Sequence, residues 1–105
     1  MAKSPQWEIL TDNGSTSQYT CEGTIVQIML EGDLDGGSVA VELISPRGAW
    51  VPLCDDSNTP IALTVEQVKN VEVPAQSGIR CTLAGSTSPD LGIKIAELSD
   101  GRQQY

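Results

Sequence analysis

Apolar residues recur at every second position in several short runs, separated by Gly, Pro, Asp and Ser. The clearest run is Thr24 to Glu31. Val26, Ile28 and Leu30 fall on one face, and Gln27 and Glu31 on the other. A period of two is the signature of a half-buried β-strand. Ile25 and Met29 share the Gln27 face, so this second face is not purely polar and a neighbour is expected to cover part of it. Ser38 to Ile44 repeats the pattern, with Val39, Val41 and Leu43 inward and Glu42 outward. Ser45-Pro46-Arg47-Gly48 then reads as a β-turn, because Pro46 presets φ at the second position and Gly48 takes the fourth. Ala49 to Cys54 returns as the partner strand. Ile79 to Ala84 and Leu91 to Leu98 alternate in the same way, with Leu91, Ile93 and Ile95 on one face and Lys94 on the other.

The remaining segments are shorter. Trp7 to Leu10 is expected as a strand after an N-terminal arm of about residues 1–6. Asp12-Asn13-Gly14-Ser15 is a turn cluster, since Asn and Gly tolerate positive φ. Gly32 to Gly37, Asp55 to Pro60 and Gly85 to Asp90 are loops, and Ala75 to Gly78 is a turn. Ile61 to Val65 is a short strand. Val65 to Asn70 is open to a helical turn, and Val71-Glu72-Val73 alternates. Ser99 to Tyr105 is a polar tail. About seven or eight strands, with turn signals every 8 to 12 residues or so, predict an all-β chain. The expected fold is one antiparallel β-sandwich domain over residues 1–105, in jelly-roll or immunoglobulin-like order.

Composition narrows what such a scaffold can do. The chain has 105 residues and no Phe, so Val, Ile, Leu and Ala must fill the core. A net charge of −8, from 14 acids and 6 bases, argues against nucleic acid and against anionic membranes, which call for Lys and Arg. The start Met-Ala-Lys-Ser-Pro has no apolar signal segment. Three cysteines, Cys21, Cys54 and Cys81, form neither an even set nor a CxxC pair. They point to free thiols in a reducing cytosol, with Cys81 buried.

The absence of His removes the commonest general base and the commonest transition-metal ligand. No phosphate loop or dinucleotide fingerprint occurs. No catalytic, cofactor-binding or metal-binding residues are therefore assigned. Asp33 with Asp35, and Asp55-Asp56 with Asn58, offer hard oxygen ligands but match no calcium-loop pattern and read as solvated turns. The candidate functional residues are partner-binding ones: Trp7 and Ile9 in the first strand, Ile25 and Met29 on the mixed face, and Trp50 in the hairpin's return strand. Trp50 offers either a protein anchor or a stacking platform for sugar.

The run from Gly36 to Leu53, Gly-Gly-Ser-Val-Ala-Val-Glu-Leu-Ile-Ser-Pro-Arg-Gly-Ala-Trp-Val-Pro-Leu, resembles a hairpin of small virion proteins of tailed bacteriophages. There a strand ends in Ser-Pro-x-Gly and returns through Trp-Val-x-Leu. Val73 to Arg80 is similar to the Pro-Ala-Gly turn and Arg-bearing strand that follow in that group. The likeness spans about Gly23 to Leu98. It departs at Arg47, where an acidic or neutral residue is usual, and at Gln76-Ser77, which lengthen the second turn. The resemblance implies a capsid decoration or cement protein, a head-fibre protein or a tail component, without catalytic residues. The partners it implies are the major capsid protein or other virion proteins, in a homo-oligomer with a trimer favoured, assembled in the host cytoplasm. A tail or head–tail connector subunit, a carbohydrate-binding module using Trp50 and a cytosolic adaptor stay open beside it.

Overall fold

Ten strands and no helix carry the described residues, 5–98, of the computed structural model. In chain order they are β1 (Gln6–Leu10), β2 (Gly14–Ser15), β3 (Tyr19–Cys21), β4 (Ile25–Asp33), β5 (Ser38–Ile44), β6 (Trp50–Pro52), β7 (Ala62–Leu63), β8 (Gln67–Glu72), β9 (Ser77–Ala84) and β10 (Asp90–Glu97). All pairings are antiparallel. One sheet runs β1-β10-β4-β8. In the other, β9 pairs with β5; β2 and β3 share the free side of β9, and β6 and β7 share the free side of β5. With β2/β3 and β6/β7 each taken as one interrupted strand, this is the strand order of a jelly roll, a two-sheet sandwich.

The period-two pattern becomes two faces per sheet. Val26, Ile28, Leu30, Leu91, Ile93 and Ile95 line the inner face of the first sheet. Val39, Val41, Ile79, Cys81 and Leu83 meet them from the second. Each such aliphatic side chain contributes roughly 1.5–3 kcal/mol on burial. Tyr19 is the aromatic member of this core.

Two devices close the β1 flank. Between Ser15 and Tyr19 lie Thr16, Ser17 and Gln18; only Arg80 and Cys81 oppose them on β9, so one extra residue bulges there. The backbone of the bulge is met by inward-pointing side chains of β1. Glu8 Oε2 accepts the Ser17 N–H at 2.8 Å, and Gln6 Nε2 donates to the Ser17 carbonyl at 2.9 Å. On the opposite flank β8 is an edge strand with no such clasp among the described residues.

Several expected boundaries change. Ten strands replace seven or eight, because the segment from Gly14 to Cys21 pairs in two pieces with β9 and adds β2 and β3. Gly14–Ser15 is thus strand rather than turn. The return strand is Trp50–Pro52 rather than Ala49 to Cys54. Beyond it Cys54 bridges Pro60, and the Asp55 carboxylate accepts the N–H groups of Ser57 and Thr59. Val65 to Asn70 forms no helical turn: Gln67–Glu72 pairs with β4 over six positions, and sheet hydrogen bonds outweigh the weak local helix preference of so short a segment. Gly32–Asp33 extend β4, Ser77–Gly78 begin β9, and Gln6 belongs to β1 rather than to an arm. The remaining arm residues 1–4 and the tail 99–105 lie outside the described residues. The Ser45–Gly48 turn closes as expected, with the Gly48 N–H donating to the Ser45 carbonyl at 2.9 Å.

Candidate functional site

The outer face of the first sheet gathers four of the five partner-binding candidates. Because β1 alternates, Gln6, Glu8 and Leu10 point inward, and Trp7 and Ile9 must point out. In β4 the same rule turns Ile25 and Met29 outward. Strand register then sets a row across the sheet: Trp7 opposite Lys94, Lys94 opposite Met29, Met29 opposite Val68. Trp7 is 47% exposed, Val68 53% and Ile9 62%. Ile25 and Met29 are half-buried. An apolar cluster that remains wet on a folded chain is the usual mark of an interaction surface. Val68 was not legible as part of this set, because its segment lacks a clean alternation; its pairing with β4 is what places it.

Trp7 has a defined seat on this face. A Cβ on Gly92 would lie 2.9 Å from Trp7 Cζ2 and 3.0 Å from Cη2, so the indole rests on bare backbone at Gly92. The ring walls a groove of about 420 Å³ whose lining includes Ile9, Gly92, Glu31, Glu66 and Asp90. Glu66 is held there by Gly32, whose N–H donates to Glu66 Oε2 at 2.7 Å. Among the described residues, Glu31, Asp90 and Lys94 have no ion-pair partner.

Trp50 sits elsewhere, on the outer face of the second sheet, opposite Ile44. There Arg80 stacks on it, with the guanidinium carbon 4.4 Å from the ring centroid. Arg80 Nε donates to Glu42 Oε1 at 2.7 Å, and Thr82 Oγ1 donates to the same oxygen at 2.7 Å. The Thr82 proton being used, Ser15 Oγ donates to Thr82 at 2.8 Å. Partial burial of the Glu42 carboxylate works to raise its pKa. The hydrogen bonds from Thr82 and Arg80, with the Arg80 charge, outweigh that and hold it below the ordinary value of 4.5. Arg80 is thus ion-paired as well as stacked. A sugar platform needs a free ring face, and the guanidinium takes one.

The remaining groups with chemical potential are engaged locally. Asp33 Oδ1 accepts the Asp35 N–H at 2.8 Å, and Asp35 Oδ2 accepts the Ser88 N–H at 2.5 Å. Among the described residues no three His, Cys, Asp or Glu side chains converge as a metal site requires. All three thiols are free; Cys21 and Cys81 are buried and Cys54 is exposed. Burial, aided by the charges of Glu42 and Glu8, pushes the Cys81 thiol up to about 12. Burial likewise raises Cys21. Both are protonated at neutral pH and poor nucleophiles.

The chain matches no protein-family model, no curated protein and no solved structure.

Proposed function

We propose that this chain is a non-enzymatic structural protein that docks the outer face of its first sheet onto another protein within an assembly. The observation that carries the reading is the outer-face row in which exposed Trp7 and Val68 flank Lys94 and half-buried Met29, with exposed Ile9 beside Trp7. The chain's lack of His is in keeping with work done by surface contact. The jelly-roll order itself carries no argument, since capsid proteins, lectins and cupins all use it.

The resemblance of the Gly36–Leu53 hairpin supplies the kind of assembly. In this reading the chain is a capsid decoration or cement protein of a tailed-phage virion, a homo-oligomer seated on the outside of the head. The N-terminal residues lead directly into β1, which carries Trp7 and Ile9, so an arm and the sheet face would engage one partner surface together.

Occupancy on purified particles, read by mass spectrometry, tests the proposal. An Ile9→Ser, Val68→Ser double variant should keep its fold, because both side chains are exposed, and should lose most of its occupancy. Particles lacking the wild-type chain, or binding the variant as well as wild type, would overturn it. A sixfold or twelvefold ring formed by the isolated chain would place it at a connector instead of the capsid surface.

A further inference from the structure

We infer that the groove beside Trp7 receives an arginine side chain presented by the partner surface. The inference deepens the docking role proposed for this face and rests on it. Three features converge. The indole of Trp7 forms one wall and leaves part of its ring open to solvent. Gly92, with no side chain, seats that ring against the backbone and fixes the wall in place. Three carboxylates, Glu31, Glu66 and Asp90, stand around the opening.

This combination asks for a flat organic cation. A guanidinium stacks on an aromatic face and donates in its own plane to carboxylates, which a neutral or spherical group cannot do together. The molecule already contains the completed form of this arrangement. On the second sheet, Trp50 receives the Arg80 guanidinium, and Glu42 holds its Nε. On the first sheet the tryptophan and the carboxylates are present, and among the described residues no cation stacks on the ring or pairs with these acids. Lys94 is the nearest basic residue in the row, opposite Trp7, yet no ion pair joins it to these acids among the described residues. Charge complementarity therefore selects a basic residue on the partner, and the open part of the flat Trp7 ring selects arginine over lysine. A partner surface with its own excess of acid would be rejected by the same three carboxylates.

The test is an NMR titration of the full chain with Nα-acetyl-argininamide, using the neutral isostere Nα-acetyl-citrullinamide as control. The Trp7 indole N–H resonance is assigned with a Trp50→Phe variant. The arginine probe should move it saturably, with a midpoint on the order of tens of millimolar for one isolated side chain, and the citrulline probe should not. Glu31→Gln and Asp90→Asn should each weaken the arginine titration by about fivefold, and added salt should weaken it further. Gly92→Ala should abolish it by pushing the indole off its seat. No shift with the arginine probe, an equal shift with citrulline, or unchanged titration of the carboxylate variants would overturn the inference. Those same carboxylate variants separate it from the docking role. If they bind particles normally while the Ile9→Ser, Val68→Ser variant does not, docking through this face stands and the arginine groove falls.

Discussion

The phenol oxygen of Tyr19, on the edge of the second sheet, accepts the main-chain N–H of Glu97, in the first sheet, at 3.0 Å. Leu98 donates its own N–H to Ile25 in the adjacent strand, so by alternation the Glu97 N–H points the other way, past the end of β1. The buried tyrosine supplies the acceptor for this N–H. Tyr19→Phe keeps the ring and removes the hydroxyl, this acceptor with it. Urea denaturation should show a loss of about 1–3 kcal/mol, the cost of leaving a shielded N–H unmet.

The Glu42 carboxylate should make stability depend on acid. Its folded pKa lies below its ordinary 4.5, so its contribution is present above that value and is lost as the pH falls through the lower folded one. Glu42→Gln should be less stable than wild type at pH 7, by no more than about 1 kcal/mol for a partly exposed pair. The gap should narrow in denaturation curves recorded below about pH 4.5. A gap unchanged in acid would mean that packing, not charge, sets the effect.

The thiols should divide by burial. Ellman's reagent should modify Cys54 quickly in the native chain, and Cys21 and Cys81 only on unfolding. Cys81 also predicts an alkaline weakness. Its thiol ionises near 9 when unfolded and at about 12 when folded, so stability falls as the pH rises above 9. Cys81→Val should flatten that slope.

Two glycines of the docking face should respond differently to alanine. At Gly32, φ is 116° and a Cβ would fall 2.3 Å from the Asp90 carbonyl oxygen, a main-chain atom that cannot step aside. Gly32→Ala should cost roughly 1–3 kcal/mol and release Glu66 from its N–H donor. At Gly92 the obstruction is the rim of the Trp7 ring, a mobile side chain. Gly92→Ala should leave the melting temperature nearly unchanged and shift the Trp7 emission.

The strands whose alternation was clearest beforehand are the ones with one dry face. β4, β5, β9 and β10 sit in the middle of their sheets, and burial of one side imposes strict alternation on Val26 to Leu30 or Leu91 to Ile95. β8 was less clear, because an edge strand is wet along its border and its inward Gln67 and Lys69 break the pattern. β2 and β3 were hidden by their shortness and by the bulge between them. The same limit applies to the site. That Ile25 and Met29 share a face is a local fact and could be read from spacing. That Trp7 joins them while Trp50 does not depends on which sheet each strand enters, which long-range pairing decides.

The clasp at Ser17 has a mechanical consequence. β1 is an edge strand, and an edge strand pulled from outside normally peels away one rung at a time. Here its Gln6 and Glu8 side chains also grip the border of the opposite sheet. A load applied at Trp7 or Ile9 is therefore shared between both layers, and β1 can act as a handle for the whole sandwich.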